Sequence, residues 1–168
     1  MAGQAVLLAV CNRVDRARQD SGLTVTMEPR SEPAADLIVE QPDGSKLQLT
    51  ARSGRFQLLH FWATWCPPCR RELPLLFEMA RRNRARLDVW AISTDPEWSS
   101  VRRFFGASVP SPVVRDPSGA GWRALSVTTL PDSYLVGPDG RIRARFSGAQ
   151  HWTSEKMGKI LDQLMRES

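Results

Sequence analysis

The sequence is poor in the residues that cross-link small proteins or bind metals. Its 168 residues include three cysteines and two histidines. Two cysteines lie close together in the sequence, so the set does not describe a disulfide-rich scaffold. Structural zinc usually needs four ligands, and the remaining candidates, Cys11, His60 and His151, are scattered along the chain. We therefore expect no metal site.

Long apolar runs are also absent. No uninterrupted stretch approaches the ~20 residues that a membrane-spanning helix needs. The apolar segment 5–10 is short and follows no basic residue, so it is not a complete signal peptide. Three interpretations stay open for this region: an amphipathic helix, the remnant of an export or anchor segment, and a lipoprotein cleavage site at Cys11. Otherwise Cys11 is expected to be a bystander or an intermolecular bridge.

Lysine is scarce, because only three of the 23 basic residues are lysines. The net charge of +5 permits acidic partners. The densest basic run, 81–86, has no interleaved aromatic residues. We interpret it as a solvated helix end and expect no nucleic-acid partner. The chain is long enough for one domain with a real core.

The order of hydrophobic patterns predicts an α/β fold. A central mixed sheet flanked by helices is expected, with an extra N-terminal β-hairpin around the turn at 42–44. Residues 1–33 are interpreted as an N-terminal helix and linker, the linker running over 28–35, and 34–168 as the main domain. Strands are expected at 36–40, 46–50, 56–61, 87–92, 112–115, 133–136 and 141–146, and helices after Cys66, from 94–97 onward and at 154–165.

The junction between the third of these strands and the first helix carries the chemistry. Cys66-Pro67-Pro68-Cys69 directly follows an apolar strand and Trp65. A helix N-terminus favours a negative charge, so a cysteine there is activated as a thiolate, the form that attacks disulfides. The two prolines suit only the first turn of a helix. Cys69 lies nearly one turn later on the same side, so we assign Cys66 as the attacking thiol and Cys69 as the resolving one.

Two other interpretations of the pair are weaker. Two thiolates alone do not make a four-ligand zinc site, and prolines stiffen the spacer against wrapping a metal. A purely structural bridge would close a very small loop and add little stability.

The segment Phe61-Trp62-Ala63-Thr64-Trp65-Cys66-Pro67-Pro68-Cys69-Arg70-Arg71-Glu72-Leu73-Pro74 resembles the active site of the thioredoxin superfamily. It is most similar to the TlpA/ResA/CcmG-like branch of extracytoplasmic thiol–disulfide oxidoreductases. The resemblance runs from about residue 34 to the C-terminus and includes 111–116 and 129–136. It implies a thioredoxin-like fold. It also implies that Pro131, after Leu130, is a cis-proline offering backbone to a bound partner, and that Pro74 kinks the active-site helix.

The resemblance also suggests proton-handling residues. It implies that Glu72 handles the proton of Cys69, and a carboxylate in a partly apolar setting has a raised pKa suited to this. The alternative is an exposed glutamate paired with Arg70 and Arg71. Thioredoxins carry a buried aspartate where this chain has His60, which is either a proton relay or a hydrogen-bonded core histidine. Trp65, Pro67 and Pro68 are expected to support the site and contact partners.

The sequence therefore predicts a monomeric enzyme that exchanges disulfides with protein partners and needs no bound cofactor. The resemblance implies reduction of exported proteins outside the cytoplasm, an upstream electron donor, and a membrane tether missing from this sequence; a cytoplasmic location is the alternative. Two other functions stay open. A thiol peroxidase is disfavoured because Ala63 stands where a threonine is needed, and a metallochaperone would hold a soft metal between the thiolates. The direction of electron flow is not predicted from sequence.

Overall fold

Eight strands of one sheet form the centre of the molecule. The computed structural model describes residues 25–106 and 108–166. The strands are β1 (Met27–Pro29), β2 (Leu37–Glu40), β3 (Lys46–Leu49), β4 (Phe56–Trp62), β5 (Leu87–Ser93), β6 (Val113–Arg115), β7 (Asp132–Val136) and β8 (Ile142–Ser147). The helices are α1 (Pro67–Asn83), α2 (Trp98–Phe105), α3 (Ala120–Ala124) and α4 (Glu155–Leu164).

The strands lie in the order β1-β8-β7-β4-β5-β6-β2-β3. The central strands β4, β5 and β6 are parallel, whereas β7 pairs antiparallel with β4 and β8 pairs antiparallel with β7. The hairpin β2–β3 joins the other side of the sheet through the pair Glu40 and Arg115. The predicted mixed sheet with an N-terminal hairpin is therefore confirmed.

The hydrophobic core has two parts, one on each face of the sheet. Buried side chains of α1, α2 and α4 pack on one face, as with Leu76, Val101 and Met157. The hairpin and the region of α3 cover the other face. Every residue of β4 is buried, because both faces of this central strand are covered. Side chains alternate along β4, so the side chain of His60 points to the same face as Leu58 and Trp62, toward α1.

Helix α1 begins directly at the cysteine pair. Cys66 is its N-cap, and Pro67 and Pro68 occupy its first positions, where a missing N–H costs nothing. Pro74 lies inside the helix, at the position where the resemblance implies a kink. None of the described helices is long and apolar enough to cross a bilayer.

Two local predictions are wrong. The linker expected at 28–35 begins within strand β1, which pairs with the edge of β8. Strand β1 is held by backbone hydrogen bonds and is mostly exposed, so its sequence does not alternate between apolar and polar residues as a half-buried strand does. Helix α2 begins at Trp98 after the cap residue Glu97, not within 94–97, because the Asp95 carboxylate bonds elsewhere. The predictions for Cys11 and for 1–24 lie outside the described residues.

Candidate active site

Cys66 and Cys69 form a disulfide at the start of α1. Their Cα atoms are 5.3 Å apart. The backbone N–H of Cys69 also donates to the Cys66 sulfur, across 3.4 Å. Cys66 keeps 4% of its surface exposed and Cys69 none. The first sulfur therefore belongs to the surface of the site and the second to its interior.

The turn before Cys66 is held by a buried carboxylate. Asp95, in the loop after β5, accepts from the backbone N–H of Thr64 at 2.9 Å and from its hydroxyl at 2.6 Å. The Ser93 hydroxyl donates to the same carboxylate. Because β4 and β5 are parallel, both segments leave the sheet at the same edge. Asp95 thus fixes the chain between β4 and the cysteines.

A groove of about 480 Å³ opens beside Cys66. Its far wall comes from the segment before β7. Trp65 forms one rim and is 66% exposed, which is unusual for a tryptophan. Large exposed aromatic side chains mark surfaces that contact partners. The lining residues are Trp65, Cys66, Pro67, Pro68, Trp122, Val127, Thr128, Thr129 and Leu130.

The groove wall ends at Leu130, and the Leu130–Pro131 peptide bond is cis, as the resemblance implies. Pro131 is buried and directly precedes β7. The role of this pair in binding partners stays a prediction.

Glu72 lies inside the protein, behind the disulfide. It is 3% exposed, so the alternative of a surface glutamate paired with Arg70 and Arg71 is excluded. The backbone N–H of Gln150 donates to its Oε2 at 2.6 Å. Its Oε1 lies 3.3 Å from Nε2 of His60. The structure thus brings together two residues that the sequence analysis treated separately.

His60 is fully buried on β4. Its Nδ1 lies 2.8 Å from the hydroxyl of Ser133, the residue directly opposite on β7. The Trp152 ring stands perpendicular to the imidazole, with centroids 6.3 Å apart. The polar cluster of His60, Glu72 and Ser133 therefore connects α1 with two central strands.

Burial shifts the pKa values of both titratable members of this cluster. Loss of solvation raises the pKa of Glu72 to about 8, against opposing contributions from the Gln150 N–H and the Trp152 indole. Loss of solvation lowers the pKa of His60 to about 3. Near neutral pH, Glu72 is therefore mostly protonated and His60 uncharged. A carboxyl group that titrates in this range can exchange a proton with a thiol.

Several residues of the site were missed by the sequence analysis. Ser133, Gln150 and Trp152 lie next to His60 and Glu72 because of strand register and a loop, which no local pattern reveals. Asp95 could have been predicted to lie near the cysteines, because it follows a strand parallel to the one that leads to them. Trp62, three positions before Trp65, is fully buried against Phe104 and Phe105.

Comparisons with known proteins agree on the fold and the class of enzyme. The chain is 28% identical over 133 residues to the thiol-disulfide oxidoreductase ResA of Bacillus thuringiensis subsp. konkukian, covering 78% of this chain and 76% of the relative. A Chlorobium tepidum structure assigned as the thiol:disulfide interchange protein DsbE matches with a TM-score of 0.70 and 28% identity, over 80% of this chain and 97% of the other.

A third protein, the exposed lipoprotein thioredoxin Etrx1 of Streptococcus pneumoniae, has the same fold. It matches with a TM-score of 0.65 and 23% identity, over 80% of this chain and 100% of the other. The predicted thioredoxin-like fold and the predicted class, a thiol–disulfide oxidoreductase, are confirmed. The model of the AhpC/TSA family matches residues 31–145. The chain therefore belongs to the AhpC/TSA family, within the thioredoxin-like proteins.

Proposed function

We propose that this protein exchanges disulfides with protein partners through Cys66 and Cys69. The observation that carries the proposal is the disulfide itself, which joins a helix N-cap beside an open groove to a buried second sulfur. Donors at a helix N-terminus stabilise a thiolate on Cys66 once the bond is reduced. The relatives named as thiol-disulfide oxidoreductases support the same chemistry.

The two cysteines have different roles. The Cys66 thiolate attacks a partner disulfide, forms a mixed disulfide, and releases one partner sulfur as a thiolate. Cys69, which does not line the groove, then loses its proton and attacks the Cys66 sulfur. This step restores the internal disulfide and releases the second partner sulfur. Two electrons pass to the partner, and no bound cofactor is needed.

Glu72 accepts the proton of Cys69. It lies one helical turn after Cys69, and side chains three positions apart share a helix face. Its elevated pKa, near that of a thiol, suits it to proton exchange at neutral pH. In Glu72→Gln, reduced protein should form the mixed disulfide normally and resolve it slowly. An unchanged resolving rate would refute this role.

The groove holds an extended segment of the partner around its cysteine. Trp65, Pro67 and Pro68 form one side, and Leu130, directly before the buried cis-Pro131, belongs to the other. Apolar walls with few charges suit unfolded or loosely folded thiol proteins, whose backbone is accessible.

The direction and place of the reaction follow from the resemblance. We propose that the protein works as a monomeric reductant of exported proteins outside the cytoplasm, with an upstream electron donor and a membrane tether. Residues 34–168 would form the catalytic domain together with strand β1, which pairs with β8. A C-terminal fusion to alkaline phosphatase, which is active only after export, tests the location on the full-length protein.

Reduction of insulin by dithiothreitol tests the activity. The wild-type protein should accelerate the reaction, and Cys66→Ser should not. Two side assays separate the alternatives: hydrogen peroxide consumption for a peroxidase, and anaerobic copper(I) binding for a metallochaperone. No acceleration of insulin reduction, together with a positive result in either side assay, would replace the proposal.

A further inference from the structure

The imidazole of His60 faces a carboxyl group inside the protein. Nε2 of His60 and Oε1 of Glu72 are 3.3 Å apart, a contact that is close but not aligned as a hydrogen bond. Neither atom has a hydrogen bond to any other described residue. Buried polar atoms without partners are costly, so a small adjustment that aligns this pair would satisfy both atoms. The chemical question is which of the two atoms carries the hydrogen.

Ser133 decides that question. Its hydroxyl lies 2.8 Å from Nδ1 of His60, and this is its only side-chain hydrogen bond among the described residues. If Nδ1 carried the hydrogen, the hydroxyl would accept it and its own hydrogen would have no acceptor in a fully buried place. If the hydroxyl donates to Nδ1, both groups are satisfied. The hydrogen of the neutral ring then lies on Nε2, directed at Glu72.

Three nitrogen atoms lie near the carboxyl group of Glu72, and one of them is in hydrogen-bond geometry. Gln150 donates its backbone N–H to Oε2. The Trp152 indole acts on the same carboxyl group, although its N–H is not aligned for a hydrogen bond. His60 from β4 presents Nε2 toward Oε1. On α1 itself, Cys69 lies three positions before Glu72 and is held in the disulfide. This ring of donors suits a carboxylate better than a carboxylic acid.

We propose that Ser133 and His60 are positioning residues that stabilise the Glu72 carboxylate: Ser133 fixes the Nε2–H tautomer of His60, and that neutral N–H donates to Glu72. The proposal gives His60 a role without a change of charge. It differs from a proton relay, in which the ring would take up and release a proton. This proposal rests on the proposed function of Glu72 only in what it says about turnover.

The consequence for turnover is a balance between two opposed effects. Burial favours the protonated Glu72, which cannot accept the proton of Cys69. The donors restore a fraction of carboxylate at neutral pH. When the Cys69 proton moves to Glu72, the Cys69 thiolate attacks Cys66, and the partner sulfur leaves. Loss of an N–H donor at Glu72 lowers the fraction of Glu72 that is ionised and slows this step. The number of electrons transferred stays at two.

A matched pair of variants tests the donor. In His60→Gln a side-chain amide can still present an N–H near the position of Nε2, whereas His60→Leu fills the space without a donor. The pKa of Glu72 is measured in the oxidised protein by ¹³C NMR of labelled glutamate. His60→Leu should raise the proton affinity of Glu72 about tenfold, the usual weight of one charge-assisted hydrogen bond. His60→Gln should stay close to wild type.

The tautomer is tested without changing His60. Long-range ¹H–¹⁵N spectra of the wild type should show a neutral Nε2–H ring throughout pH 5–9. In Ser133→Ala the penalty against Nδ1–H disappears, so the ring should become a mixture of tautomers and the proton affinity of Glu72 should rise less than in His60→Leu. An Nδ1–H ring in the wild type overturns the proposal, as does an unchanged Glu72 pKa in His60→Leu.

These measurements need no substrate, so they separate this proposal from the proposed function. If His60→Leu shifts the Glu72 pKa but Glu72→Gln leaves the resolving rate unchanged, the hydrogen-bond chain stands and the catalytic role of Glu72 fails. If Glu72→Gln slows resolution but His60→Leu leaves the Glu72 pKa unchanged, the catalytic role of Glu72 stands and the hydrogen-bond chain fails. If both claims hold, the rate of resolution should reach half its maximum at a higher pH in His60→Leu than in the wild type. In His60→Gln this pH should not change.

Discussion

We expect the wild-type protein to lose stability above pH 6.5, and Glu72→Gln should remove that loss. The reason is the pair of buried titratable groups. Folding raises the pKa of Glu72 from its ordinary 4.5 to about 8 and lowers that of His60 from 6.5 to about 3. Stability changes with pH wherever the folded and unfolded chains bind different numbers of protons. The two groups therefore set three pH ranges.

Between pH 4.5 and 6.5 the two contributions cancel. The unfolded chain holds one proton on His60, and the folded chain holds one on Glu72. Above pH 6.5 the unfolded chain has lost its proton while the folded chain keeps one, so stability falls until about pH 8. At about 1.4 kcal/mol per pH unit, the loss is about 2 kcal/mol. Below pH 4.5 the unfolded chain binds the extra proton, so stability falls by about 2 kcal/mol down to pH 3.

The assay is urea unfolding of the oxidised protein at intervals between pH 4 and 9. In Glu72→Gln the decline above pH 6.5 should vanish, and His60 alone should make stability rise with pH up to 6.5. Glu78→Gln is the matched control, because Glu78 is on the same helix but partly exposed and paired with Arg82. It should keep the alkaline decline. A wild-type curve that is flat from pH 6.5 to 8, or an unchanged decline in Glu72→Gln, would refute the reasoning.

Two further predictions concern the surroundings of the cysteines. Trp65→Ala should change the free energy of unfolding by no more than about 0.5 kcal/mol, because the side chain is 66% exposed. It should slow the reduction of insulin severalfold, but it should not slow the reduction of oxidised glutathione. Ile38→Ala, an equally exposed apolar position outside the groove, is its control, and equal slowing in both would contradict a partner-binding role. Thr64→Val should cost about 1–3 kcal/mol in urea unfolding, because the buried Asp95 carboxylate loses a hydrogen bond, whereas the exposed Thr50→Val should cost little.

The fold and the cysteine pair could be predicted because their signals are local. The apolar strand before Cys66, the two prolines and the stripe of apolar residues on α1 each mark structure within a few residues. The hairpin β2–β3 likewise follows from alternation around a glycine turn. Strand β1 could not be predicted in this way, since its pairing with β8 uses backbone groups and its side chains are mostly exposed.

The polar cluster of His60, Glu72 and Ser133 depends on contacts that are distant in sequence. His60 and Ser133 are neighbours only because β4 and β7 pair in one register, and a slip of one residue would turn Ser133 to the other face. Glu72 meets the Gln150 backbone across the 78 residues that separate them. The resemblance singled out Glu72 and His60 as candidates, but nothing in the sequence indicated that they face each other.

The reduction potential of the Cys66–Cys69 pair tests the central claim most directly. The oxidised and reduced forms can be quantified by mass after equilibration in glutathione or dithiothreitol buffers and trapping of free thiols. A reductant of protein disulfides should show a reversible two-electron couple below about −220 mV. A value near −120 mV would contradict the proposed direction of electron flow, because the pair would then oxidise its partners. A pair that never exchanges with the buffer would contradict disulfide exchange itself.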